Sequence, residues 1–276
     1  MKYALGNMLN GGIQGLDPDA KAYINAVVAA GATVTSTQRT AINNFVKGEK
    51  AGSRWTLMKR LYLPIWGVAA PNAICMTSLT SGTFNGGITH ASGYVSSNGT
   101  TGYFLFDVAP SAFGCTTSSG NIFTLITAIA AINGSIALIR AQDTANGTRS
   151  GISGGGVNLR LVQLFGGTVL TYTETDSRGV LLASRTTTTT TSSYKRTSVG
   201  FSTTINEGST PVGLVGSIQP MAAMAFNNNG TFSSFVPPTV RFGSYGMGLG
   251  MTSTQAENFS AGLKTLWETC TGLTLP

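Results

Sequence analysis

Charge is what this chain has least of. Asp, Glu, Lys and Arg make up 10% of its 276 residues, and it holds a single histidine and three cysteines. So few ionisable groups leave little for proton transfer, and His90 is the only imidazole available as a base. Cys75, Cys115 and Cys270 are odd in number and lack metal-ligand spacing. A complete internal disulfide framework is therefore excluded, and buried free thiols are expected. Long apolar runs are missing too: no segment approaches the ~20 residues that span a bilayer, so no membrane insertion is expected. Met1 to Leu16 carries one Lys and no apolar run of signal-peptide length, and no export signal is read there.

What is abundant is Gly, Ser, Thr and Asn. A neutral, hydroxyl-rich surface suits a β-sandwich in an assembled particle better than a soluble cytoplasmic enzyme, and a chain of this length can bury one large core. The formal charge of +7 comes from 17 basic against 10 acidic residues. Much of it lies in Lys47, Lys50, Arg54, Lys59 and Arg60, set against Glu49. No aromatic interleaving or binding motif accompanies these charges, so a solvated helix face is expected rather than a nucleic-acid partner.

Helical sequence comes first. Asp17 is an N-cap residue followed by Pro18, and Ala20, Tyr23, Ile24, Val27 and Val28 form one apolar face before Gly31. Thr35-Ser36-Thr37-Gln38 is a capping box, with Ala41, Ile42, Phe45 and Val46 as the buried stripe and Gly52 as the stop. The spacing of Trp55, Met58 and Leu61 predicts a short third helix from Ser53 that ends before Pro64. At the other end Thr252-Ser253-Thr254-Gln255 repeats the capping sequence, and Ala256, Phe259, Leu263, Leu266 and Cys270 share a face before Gly272.

Between these ends the period becomes alternating. Asn-Gly pairs at Asn85-Gly86, Asn98-Gly99, Asn133-Gly134, Asn146-Gly147 and Asn229-Gly230 predict tight hairpins and many short antiparallel strands. Val157 to Leu161 turns at Gly166-Gly167 into Val169 to Tyr172. Ile122 to Ile132 and Ser135 to Ile139 read as another hairpin, and Thr186 to Thr191 as an exposed strand or hairpin. The expected fold is mainly β: an antiparallel jelly-roll β-sandwich with an N-terminal helical segment and a C-terminal helix. Its organisation reads as a Gly- and Asn-rich N-terminal arm at 1–16, a helical segment packing on the sandwich at 17–66, and the sandwich at 67–276 with the helix at 252–271.

Several pieces, in this order, resemble a family of tailed-bacteriophage structural proteins with a concanavalin-like, laminin-G-like jelly-roll domain. They are Asp17-Pro18-Asp19-Ala20, Thr40 to Asn43, Trp55 to Lys59, Phe84-Asn85-Gly86-Gly87-Ile88-Thr89-His90, Gly99 to Tyr103, Leu182 to Thr186 and Gly248 to Thr252. The family often has an aromatic where Ile88 stands, an acid where Ser253 stands, and Asn-Gly where Lys195-Arg196 follows Tyr194. The resemblance implies a non-enzymatic virion component, a tail fibre or head decoration, with no catalytic residues and no cofactor. Its expected partners are other virion proteins and copies of itself, docked through the arm, with a trimer as the expected ring. The implied location is the virion.

Two enzyme readings can be weighed on residues. Gly151-Ile152-Ser153-Gly154-Gly155 fits G-x-S-x-G, but a nucleophile elbow needs a helix after the Ser and a downstream His, and His90 lies upstream. Concanavalin-like sandwiches also host two-carboxylate glycosidases, and Glu174-Thr175-Asp176 would place two acids on one strand face. The further Glu such enzymes carry three residues on is Gly179 here, and Arg178 is a ready ion-pair partner for the acids. Asp107, Asp143 and Glu207 are scattered, and no acids cluster with calcium-loop spacing, so no metal is expected. Sugar binding without cleavage, as in an adhesin for host glycans, stays open. Tyr94, Tyr103, Tyr172, Tyr194 and Tyr245 lie in or next to turns, but none is assigned to a ligand.

Overall fold

The computed structural model describes residues 15–129, 136–142, 149–155, 159–164, 170–173, 176–207 and 219–276. Residues 1–14 of the arm at 1–16, Asp143, Glu174 and the turns at 133–134, 146–147 and 166–167 lie outside them.

Two helices open the described chain, α1 (Pro18–Ala29) and α2 (Ser36–Ala51). Asp17 caps the first through the backbone N–H of Asp19. Thr35 and Gln38 form the reciprocal capping box of the second, which satisfies two N–H groups that the helix itself leaves unpaired. Strand β1 (Met58–Tyr62) follows where a third helix was expected. Its pairing explains the difference: Tyr62 lies opposite Tyr245, while Leu61 and Tyr62 are both fully buried on opposite faces. A strand covered on both sides loses the polar alternation that would mark it in sequence. One further turn of helix, α3 (Ala69–Asn72), leads into the sheets.

The rest is an antiparallel jelly-roll sandwich. The first sheet combines β3 (Ile88–Ala91), β4 (Tyr94–Ser97), β6 (Gly120–Ala128), β11 (Gly179–Arg185), β12 (Thr190–Arg196), β13 (Phe201–Glu207) and β17 (Arg241–Gly248), with β1 beside β17. The second combines β2 (Thr83–Asn85), β5 (Tyr103–Leu105), β7 (Ile136–Gln142), β8 (Arg149–Gly155), β9 (Leu159–Gln163), β10 (Leu170–Thr173), β14 (Ala222–Ala223), β15 (Phe226–Asn228) and β16 (Thr231–Ser233). Among the described pairings only β15 with β7 is parallel.

The Asn-Gly pairs do two different jobs. Asn229 and Gly230, with φ of 50° and 86°, close the two-residue hairpin between β15 and β16. Asn85-Gly86 and Asn98-Gly99 instead carry the chain from one sheet to the other, because β2 and β5 belong to the second sheet and β3 and β4 to the first. The hairpin expected around Asn133-Gly134 is likewise corrected, since β6 and β7 lie in different sheets. The β9–β10 hairpin forms as expected. Thr186 to Thr189 make the exposed turn between β11 and β12. The buried Arg185 guanidinium holds that turn, donating to the carbonyls of Thr187, Thr188 and Leu164.

The final helix, α4 (Ser253–Thr271), starts with its own capping box and ends at Gly272 in the left-handed region. With α1 and α2 it covers the outer face of the first sheet, giving two cores. Phe123, Leu125, Val180 and Leu182 point to the helices, while Ile122, Ile126, Leu181 and Ala183 point to the second sheet. Burial on both faces is why β6 and β11 read as unbroken apolar runs. Phe259 packs edge-on against Phe123 at 4.8 Å, and the Trp267 indole N–H donates to the Gly93 carbonyl at 2.8 Å. The three cysteines are buried free thiols.

Candidate functional site

A groove of about 470 Å³ runs between α2 and α4, within the size range of small-ligand sites. The two helices lie antiparallel: at one end the Gln38 amide donates to the Cys270 carbonyl at 3.0 Å, and at the other Glu49 lies against Gly262. Thr37, Ala41, Asn44 and Gly48 line one wall at helical spacing, and Asn258, Ala261, Gly262, Thr265 and Thr269 line the other. Phe45 and Leu266 form the floor. The rim is thus hydroxyl and amide, the floor apolar, and small residues leave the space between them open.

One ion pair closes the Gly262 end. Arg54 donates through Nε to Glu49 Oε2 at 2.8 Å and through Nη2 to Oε1 at 3.1 Å, and Nη2 also reaches the Gly48 carbonyl at 3.3 Å. Glu49 is 2% exposed. Burial pushes its carboxyl pKa up, and the two bonds from Arg54 oppose that rise. The pair neutralises itself, so the groove shows a bound molecule no uncompensated charge.

Lys47 is exposed and Lys50 partly so, as a solvated face requires, and both, with Arg60, also find partners. Lys50 bridges Asp17 at 2.6 Å and Asp19 at 2.8 Å, Lys47 donates to the Gly15 carbonyl, and Arg60 pairs with Asp107 at 2.6 Å. Asp107 also accepts from Tyr62 and Thr80. Burial alone would raise its pKa, but these donors outweigh burial and hold it below the usual carboxylate range. Tyr62 is buried and its phenol is pushed far above the ordinary value by burial, so it cannot serve as a nucleophile.

Among the described residues, those weighed for catalysis do not converge. Ser153 sits inside strand β8, not at a strand-to-helix turn. His90 lies in β3, with Nδ1 3.1 Å from the Asn72 amide and its ring edge-on to Phe84; burial lowers its pKa, leaving it neutral at pH 7. Asp176 is gripped by Arg178, whose Nη2 lies 2.8 Å from Oδ2, and its pKa is lowered by that partner. A carboxylate held ionised in this way is no general acid. The remaining acids with described side chains are paired as well, Glu257 with Arg196 at 3.7 Å and Glu268 with Lys264 at 2.7 Å.

The tyrosines are dispersed. Tyr94 lies under the Arg241 guanidinium at 4.5 Å, and Tyr103 stacks on Phe232 at 3.9 Å. Tyr194 stacks on Phe201, Tyr245 is buried in the sandwich core, and Tyr172 lies on β10. No shared platform forms among the described ones. The groove was missed because its walls were read only for their apolar stripes. The neighbouring stripes of Thr, Asn, Ala and Gly at the same helical period were its signal.

No family model matches the chain, and no curated protein does. Among solved structures it is similar to Trypanosoma rangeli sialidase in complex with 2,3-difluoro-KDN, at 10% identity and a TM-score of 0.48, over 82% of this chain and 39% of that one. It is also similar to Trypanosoma rangeli sialidase in complex with sialic acid, at 11% identity and a TM-score of 0.47, over 80% and 38%. The chain spans less than half the length of these structures. No residue role is carried over from a likeness at this level. It does correct the expectation of a bacteriophage virion structural protein assembling through its N-terminal arm: the structures matched are sialidases, not virion components, and that reading is not carried further.

Proposed function

We propose that this chain is a non-catalytic carbohydrate-binding β-sandwich domain whose site is the groove between α2 and α4. The observation that carries the reading is the groove's composition: an aromatic and aliphatic floor from Phe45 and Leu266 beneath a neutral rim of Thr and Asn. Sugars have apolar C–H faces and hydroxyl edges, and sites that hold them combine those two kinds of surface. The carboxylates with described side chains are committed to ion pairs, which favours binding over hydrolysis.

Gly48 provides the test. A Cβ there meets nothing within 4 Å, so the side chain of Gly48→Leu starts into open space and occupies the groove. The wild-type chain should retain oligosaccharides on a glycan array and in titration calorimetry, and Gly48→Leu should abolish that retention with its melting temperature undiminished. Failure of the wild type to retain any glycan, or equal retention by the variant, would overturn the assignment, as would release of reducing sugar by the wild type.

A further inference from the structure

We infer that the groove selects sugars carrying an acetamido group, the N-acetylhexosamines, over sugars bearing only hydroxyls. The inference rests on the groove being the carbohydrate site. Its floor, Phe45 and Leu266, and the wall positions Ala41 and Gly262 offer no side-chain donor or acceptor. A plain hexose carries hydroxyls around its whole edge, and any that face such a floor give up water for no partner. An acetamido group divides its polarity differently. Its methyl covers apolar surface, while its planar amide presents one donor and one acceptor to the rim.

The rim matches that chemistry. Asn44 on α2 and Asn258 on α4 are exposed amides on opposite walls, each able to donate and accept, with Thr37, Thr40, Thr265 and Thr269 along the same edges. Neither asparagine caps a helix, and among the described residues neither has a side-chain bond that would have to break first. Charge argues in the same direction. Among the described residues that line the groove, the ionised groups are Glu49 and Arg54, and they are bonded to each other in a two-pronged pair. An acidic or basic sugar would find no free counter-charge, so the ligand is neutral.

The experiment titrates the full chain with chitotriose and with cellotriose, two β-1,4 trisaccharides that differ in the acetamido group. Chitotriose should bind tighter by about tenfold or more, the scale on which a pocket resolves one small apolar group. That preference should shrink in Asn44→Ala and Asn258→Ala, and both sugars should be lost in Gly48→Leu. Equal affinities, both lost in Gly48→Leu, would overturn the acetamido preference and leave the groove as the sugar site. Binding that survives Gly48→Leu would overturn the groove itself. Failure of both trisaccharides to bind would overturn the preference, leaving the groove to be judged by the array.

Discussion

Gly48→Ala should make this protein more stable, and the size of the gain reports whether the groove is open. Gly48 lies in the last turns of α2 with ordinary helical backbone, and its carbonyl accepts from the Gly52 N–H at 3.0 Å, so the turn is fully bonded. Glycine in a helix interior costs roughly 0.5–1 kcal/mol relative to alanine, because it gives up more backbone freedom on folding. A Cβ built at Gly48 has no heavy atom within 4 Å, so nothing steric subtracts from that gain. For a chain of this size the gain corresponds to a rise in melting temperature of about 1–4 °C. Gly262, on the facing wall, is the control. Its Cβ would come within 2.9 Å of Glu49 Oε1 and 3.5 Å of Phe45, so the same propensity gain is offset by pushing on a buried ion pair. Urea denaturation of the three proteins at a common m-value, backed by calorimetry, should rank Gly48→Ala above wild type and Gly262→Ala below Gly48→Ala. A loss of stability in Gly48→Ala, or equal gains in both variants, would show that the walls are not arranged as described.

Two further outcomes test the packing and the electrostatics. Leu263→Ala removes a fully buried side chain from the helix–sheet core and should cost roughly 2–5 kcal/mol in denaturant titrations, whereas Lys264→Ala, which breaks only the i,i+4 pair with Glu268, should cost about 0.3–0.5 kcal/mol. Comparable small losses from both would mean that the α4 stripe is not buried. Asp107 has a lowered folded-state pKa, so as pH falls the unfolded chain takes up this proton first. The stability it contributes is complete above the ordinary carboxylate value of about 3.9 and is lost as pH drops toward the folded-state value. Melting temperatures from pH 6 down to pH 3 should therefore fall more steeply for wild type than for Asp107→Asn, and parallel curves would refute the role assigned to the Arg60–Tyr62–Thr80 donors.

How much of this architecture the sequence reveals depends on which link is being read. The capping residues of α1, α2 and α4 act through contacts one turn away, so Thr35-Ser36-Thr37-Gln38 and Thr252-Ser253-Thr254-Gln255 state their helix starts outright. An Asn-Gly pair states only that two residues accept positive φ. Whether the chain then returns beside its own strand, as at Asn229-Gly230, or crosses to the other sheet, as at Asn85-Gly86, is decided by pairing partners far away in sequence. Met58 to Tyr62 failed for a related reason: Met58 and Leu61 are three apart, which suits a helix, and only the partner strand β17 makes them a strand. The groove sits at the far end of this scale. Each wall is a local pattern, Thr37, Ala41, Asn44 and Gly48 or Asn258, Ala261, Thr265 and Thr269, and either one alone is an ordinary solvent-facing stripe. They become one site because Phe45 and Phe259, 6.4 Å apart, turn the two apolar faces inward together and leave the neutral stripes side by side. The helices' shared burial on the first sheet thus creates the cavity, which is why substitutions on the neutral stripes can change binding without unmaking the fold.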